Sequence, residues 1–174
     1  MRVPFVGVAL AGILFGQAAL AATSSCVRPA ERAAIDVEGL KSQLMVVALA
    51  CDARDRYNAF VNRYKAQLNS DEKELGGYFT RSYGRTSRTR QDDYVTQLAN
   101  SQSHAGTARG TLFCQEHVPM FDEVMALRSN SELSEYAAGK ELRQPISTEA
   151  CDGAATERPA VVRTSARHST RTKH

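Results

Sequence analysis

Four cysteines, Cys26, Cys51, Cys114 and Cys151, all lie beyond an apolar leader, and together these features constrain the fold most. Residues 1–21 carry one positive charge at Arg2, a long apolar run and the small-residue site Ala19-Leu20-Ala21. That is the three-part layout of a cleaved secretory signal. The run from Val3 to Ala21 is almost long enough to span a bilayer. Pro4, Gly7, Gly12 and Gly16 favour cleavage over anchoring, so no transmembrane anchor is expected after processing. Cys26 follows Thr23-Ser24-Ser25 rather than the apolar core itself, which argues against acylation. Export to the periplasm or beyond exposes the thiols to oxidation, and four cysteines then read as two disulfides. Three connectivities are possible. Cys51 and Cys114 sit within apolar helical patterns, while Cys26 and Cys151 sit near the ends of the folded part. This placement favours Cys51–Cys114 with Cys26–Cys151.

Without the leader, 153 residues remain, enough for one domain with a real core. The chain as a whole has 22 basic and 19 acidic residues. The excess of positive charge falls in residues 154–174, where Arg158, Arg163, Arg167, Arg171 and Lys173 face one acid, Glu157. The rest of the mature chain is close to neutral, so no nucleic-acid partner is expected. Residues 153–174 are rich in Ala, Thr, Ser and Arg and poor in bulky apolar groups, the composition of a disordered tail. The expected organisation is a signal peptide at 1–21, a helical domain at 22–152 and a basic tail at 153–174.

Within the domain the hydrophobic spacing is helical. From Gly39 to Leu68 apolar or small residues recur at Leu40, Leu44, Val47, Cys51, Val61, Tyr64 and Leu68, widened by Tyr57 and Phe60. One helix of roughly 45 Å is expected there, kinked or divided near Cys51–Arg54, with Asp52 and Arg56 four apart on one face. The Tyr57, Phe60, Tyr64 stripe reads as core. Asn69-x-x-Glu72 resembles a reciprocal cap opening a short helix through Leu75, Tyr78 and Phe79, which Gly84 ends. A further helix is expected over about Thr89–Asn100, then a turn-rich loop over 101–110. Helical spacing resumes through Phe113, Val118, Phe121, Val124 and Leu127, with Pro119 starting a new segment or kinking this one. Ser129-x-x-Glu132 caps a last short helix that Gly139 closes. No strand alternation competes, so the class is all-α: a small antiparallel helical bundle of four to five helices, stapled by two disulfides.

Chemistry is sparse along this frame. Arg81, Arg85, Arg88 and Arg90 fall in a stretch free of acids, interleaved with Tyr78, Phe79 and Tyr83. Arg81, Tyr83, Arg85, Arg88 and Arg90 are the candidate binding residues, suited to an anion or an acidic partner surface. A solvated corner between helices would have the same composition. Asp92-Asp93 follow, but neighbouring helical side chains point apart, which disfavours a tight acid–base pair. Cys114-x-x-His117 has metal-ligand spacing, but an oxidised cysteine cannot ligate, so no metal and no cofactor is expected. Neither a Gly-rich phosphate loop nor an H-E-x-x-H pattern is present.

The segment from Gly39 to Leu68, with YFTRSYGR, DDYVTQLANSQS and GTLFCQEHVPMFDEV, resembles an uncharacterised family of exported helical proteins from alphaproteobacteria. The resemblance covers about Cys26 to Pro145. It implies a core built around the cysteines and a variable tail, and it brings no catalytic residues. In size and export the chain is also similar to small non-catalytic subunits of periplasmic dehydrogenases in acetic acid bacteria, a likeness without a motif. The expected function is therefore non-enzymatic: a periplasmic accessory subunit that binds a protein partner in the cell envelope. The alternative is an envelope stress or inhibitor module that takes an anionic ligand directly. A hydrolase using Asp92, Asp93 or Glu116 is the weakest of the three.

Overall fold

The computed structural model describes residues 26–151. The leader at 1–21 and the tail at 153–174 lie outside them. The described residues form seven α-helices: α1 Pro29–Ala50, α2 Arg54–Arg63, α3 Lys65–Tyr83, α4 Ser87–Arg109, α5 Leu112–His117, α6 Met120–Ala126 and α7 Asn130–Gly139. α2 and α3 adjoin across Tyr64, and α5 and α6 across Val118–Pro119, so the bundle reduces to five rods. It is all-α and carries both disulfides in the favoured pairing, Cys26–Cys151 and Cys51–Cys114.

α1 is the axis of the molecule. Pro29 opens it, where a missing N–H costs nothing. The Arg28 N–H donates to Glu31 Oε2 at 2.8 Å, which satisfies an orphan donor of the first turn. From Ala34 to Ala48 the helix is buried on nearly every side, against α2, α3, α4, α5 and α7. A helix enclosed all round must answer its polar side chains locally. Ser42 Oγ donates to Gln102 Oε1 at 2.6 Å, and Gln102 Nε2 donates to the Gly39 carbonyl at 3.0 Å. Arg32 Nε reaches Asp36 Oδ2 at 2.9 Å, and Lys41 Nζ reaches Glu38 Oε2 at 2.6 Å.

Several boundaries differ from the sequence expectation. The first helix begins at Pro29, ahead of Gly39, and stops where a break was expected. Asp52 adopts φ 54° between α1 and α2, a conformation that Asx residues tolerate better than most. It does not share a helical face with Arg56. Arg56 instead reaches Asp122 on α6 at 2.7 Å, while the nearest cation to Asp52 is Arg54 at 3.7 Å. Asn69 and Glu72 cap nothing, because they lie inside α3. Leu68, Leu75, Tyr78 and Phe79 extend one apolar face through that point. Residues 101–109 are helical, not a loop. Gln102 and Gly106 are buried in α4, and Gln102 is tied to α1, so tertiary packing overrides turn-rich composition. The positive-φ glycines mark the true stops: Gly84 at 54° after α3, and Gly110 at 57° after α4. Pro119 and Ser129 behave as expected. Pro119 precedes α6, and the Glu132 N–H donates to Ser129 Oγ at 3.2 Å.

The core divides into two clusters, each with its own disulfide. One packs Leu40, Leu44, Val47, Phe60, Tyr64, Phe121, Val124 and Leu133 beside Cys51–Cys114. Phe60 and Tyr64 are core, as the stripe implied, and Tyr64 Oη donates to the Val124 carbonyl at 2.7 Å. The other packs Val27, Ile35, Leu75, Tyr78, Phe79, Tyr94 and Leu98 near Cys26–Cys151. The segment after α7 returns to this second cluster as a strap. The Val27 N–H donates to Glu149 O at 2.8 Å, and the Cys151 N–H donates to Val27 O at 3.1 Å.

Candidate functional site

The five arginine-corner candidates divide into three roles. Arg81 turns inward. It sits at 2.6 Å from Glu31 Oε2 and donates to the Cys26 carbonyl at 2.8 Å. Its charge is spent on α1 and is not offered outward. Arg85 and Arg88 are exposed around the 3-10 turn Gly84–Thr86 and the start of α4, and neither is ion-paired among the described residues. Tyr83 and Arg90 are brought together, with the Arg90 guanidinium 5.8 Å from the Tyr83 ring centre.

Tyr83 and Arg90 border a cleft of about 240 Å³ between the end of α3, the first half of α4 and the strap. Phe79 forms its aromatic wall, stacked on Tyr83 at 5.7 Å and tilted against Tyr94 at 5.5 Å. Asp93 and Gln97 project from α4 into the same space, and Pro145 and Ile146 of the strap close the far side. Arg90, Asp93 and Gln97 are spaced three and four apart, so they share one helical face. Tyr94 Oη donates to Gln144 Oε1 at 2.9 Å, and Gln144 Nε2 donates to the Ile35 carbonyl at 3.2 Å. Burial pushes the Tyr94 hydroxyl far above its ordinary value, helped by the nearby charges of Glu38 and Asp36, so it stays a neutral donor that anchors the strap. The Cys26–Cys151 bond lies five residues beyond Ile146 and fixes the end of this wall.

Asp92 opens elsewhere, onto a cleft of about 370 Å³ bordered by Glu38, Lys41, Glu72 and Gln91. The two adjacent aspartates therefore serve different surfaces. Glu116 is held by Arg109 Nε at 2.8 Å. Cys114 is in its disulfide, and His117 Nδ1 lies 3.0 Å from the Phe113 carbonyl, its hydrogen-bond acceptor. Among the described residues, no group of three or more His, Cys, Asp or Glu is placed to hold a metal ion. A third groove, of about 680 Å³, lies between α1, α4 and α5 and has no charged residue in its lining. Leu49 stands on its lip at 60% exposure.

Sequence reading found Tyr83, Arg90 and Asp93 but missed Gln97, Pro145 and Ile146. Nothing local marks those three, because the strap meets α4 only after the chain has closed on itself. No protein-family model matches the chain, and no curated protein or solved structure does either. Two disulfides are the mark of a non-reducing compartment. Among the described residues, no helix is long and apolar enough to cross a membrane.

Proposed function

We propose that the protein is a non-enzymatic periplasmic module that binds an acidic surface of another protein, as an accessory subunit of an envelope complex. The observation that carries this reading is the exposed, unpaired state of Arg85 and Arg88 at the α3–α4 corner. The positive end of a helix dipole disfavours cations, yet the first turn of α4 carries arginine and no acid, and Thr86 makes no side-chain cap there. Such a corner is unfavourable in the free protein and is relieved when carboxylates arrive. Arginine suits that role, since its planar fork matches a carboxylate with two parallel hydrogen bonds. The apolar leader pattern of residues 1–21 and the two disulfides support the periplasmic setting.

The test is affinity purification of the tagged protein from gently solubilised envelopes, beside the double variant Arg85→Ala/Arg88→Ala. A single stoichiometric partner that is lost in the double variant and released by salt supports the reading. A partner retained by the double variant sinks the surface assignment. Recovery of the protein alone sinks the accessory role.

A further inference from the structure

We infer that the cleft beside this corner binds a small zwitterion of amino-acid size, with Arg90 taking its carboxylate, Asp93 its ammonium, and Tyr83, Pro145 and Ile146 its apolar side group. This site is separate from the docking corner and does not depend on it.

Two opposite charges border this cleft without meeting. At a spacing of three on an exposed helical face, Arg90 and Asp93 would ordinarily pair. Instead the Arg90 guanidinium lies over the Tyr83 ring, and neither residue is ion-paired among the described residues. A guanidinium held over a ring face keeps N–H donors available for the fork that a carboxylate matches. Asp93 is left with free acceptor oxygens in the same cleft. Both charges therefore border one small space.

The remaining lining sets the size and character of that ligand. At about 240 Å³ the cleft falls below the range of roughly 300–1,000 Å³ typical of drug-sized ligands, so it suits one residue-sized molecule. Tyr83, backed by the buried Phe79 ring stacked on it and with Arg90 over its ring, is the accessible aromatic of the lining, and Pro145 and Ile146 form an apolar far wall. An aromatic or branched side group is thus favoured over a polar one. Gln97, one turn beyond Asp93, offers an amide that can donate to a carboxylate or accept from an ammonium. The Tyr94 hydroxyl is already engaged by Gln144, so it does not compete.

The test is an NMR titration of the mature protein with three probes: L-phenylalanine, 3-phenylpropionate, which lacks the ammonium, and phenethylamine, which lacks the carboxylate. L-phenylalanine is expected to shift the Tyr83, Gln97 and Ile146 signals, and each analogue to bind about tenfold more weakly or worse. Arg90→Gln should bring L-phenylalanine down to the level of phenethylamine. Asp93→Asn should bring it down to the level of 3-phenylpropionate. Both residues are exposed, so the variants should melt at the wild-type midpoint. Arg85→Ala/Arg88→Ala should leave this binding unchanged, which separates the cleft from the docking corner. Equal binding of all three probes overturns the inference. So does the absence of shifts at those residues at millimolar probe, or full binding in both single variants.

Discussion

Arg81 and Glu31, fifty positions apart in sequence, close on each other at 2.6 Å and bind α3 to the first turn of α1. Burial alone would raise the Glu31 carboxyl. The Arg81 hydrogen bond, the Arg28 backbone N–H and the neighbouring positive charge outweigh it, and the carboxyl is held below its ordinary range. The same guanidinium satisfies the Cys26 carbonyl, so one side chain joins α3, α1 and the N-terminal end of the disulfide strap.

Arg81→Ala should therefore cost far more than Arg85→Ala. It leaves Glu31, whose side chain is 5% exposed, buried without its cation. The expected loss is about 3 kcal/mol in urea denaturation at neutral pH, against about 0.5 kcal/mol or less for Arg85→Ala. A depressed carboxyl stabilises above its unfolded pKa, and that contribution disappears as pH falls through the folded value. The gap between wild type and Arg81→Ala should accordingly narrow on acidification.

Asp71 should show the opposite pH dependence. Its Oδ1 accepts from Gln67 Nε2 at 2.8 Å, while Oδ2 is buried with no hydrogen-bond partner among the described residues. Burial raises this carboxyl, the charge of Glu74 adds to the effect, and Gln67 and Lys41 only partly offset it. A raised carboxyl contributes stability below its unfolded pKa and loses it as pH climbs through the folded value. Asp71→Asn should thus be more stable than wild type at neutral pH. The advantage should vanish at acidic pH, where both side chains are neutral. Melting curves across the acid range check both statements.

The two disulfides should differ in consequence more than in magnitude. Cys26–Cys151 spans 125 residues and Cys51–Cys114 spans 63. On the chain-entropy model their removal costs about 5 and about 4 kcal/mol, respectively. Cys26→Ser/Cys151→Ser should also loosen the strap that carries Pro145 and Ile146, giving faster amide exchange at Gln144–Cys151. Cys51→Ser/Cys114→Ser should spare that segment and loosen α5 instead.

Two glycines within helices should respond to alanine with opposite signs. A Cβ at Gly77 meets nothing within 4 Å, so Gly77→Ala should stabilise by about 0.5–1 kcal/mol through helix propensity. A Cβ at Gly106 would stand 3.0–3.2 Å from three ring atoms of the buried Phe113. Gly106→Ala should destabilise by about 1 kcal/mol net, overpacking outweighing propensity. Thermal melts of the two variants decide it.

Much of the architecture was legible in the chain itself. The apolar spacing from Leu40 to Leu68 gave the helical class, Gly84 and Pro119 gave two boundaries, and Ser129 with Glu132 gave the start of α7. The cysteine pairing followed from which of the four sat inside helical patterns. Two local signals misled, at Asn69–Glu72 and at residues 101–110. In both places a long-range contact outweighed a preference of a few tenths of a kcal/mol to about one per residue. The stretch of α1 from Pro29 to Glu38 shows no clean apolar stripe, because its buried face mixes Ala34, Ile35 and Val37 with Glu31, Asp36 and Glu38, whose charges are answered by Arg81, Arg32 and Lys41 only in the fold.

The candidate site was legible only in its ingredients. Sequence alone determined that arginines and tyrosines crowd one stretch, that an oxidisable cysteine frame surrounds it, and that the fold is helical, because these depend on composition and on neighbours a few residues away. Tertiary structure decided which arginine is consumed by Glu31, which lies over Tyr83, and which two remain open. It also decided that Pro145 and Ile146 complete the cleft. Arg90 meets Tyr83 across only seven positions, but the Arg81–Glu31 pair and the closing of the cleft by Pro145 and Ile146 join residues about fifty or more positions apart, and no local pattern records which distant side chain will arrive.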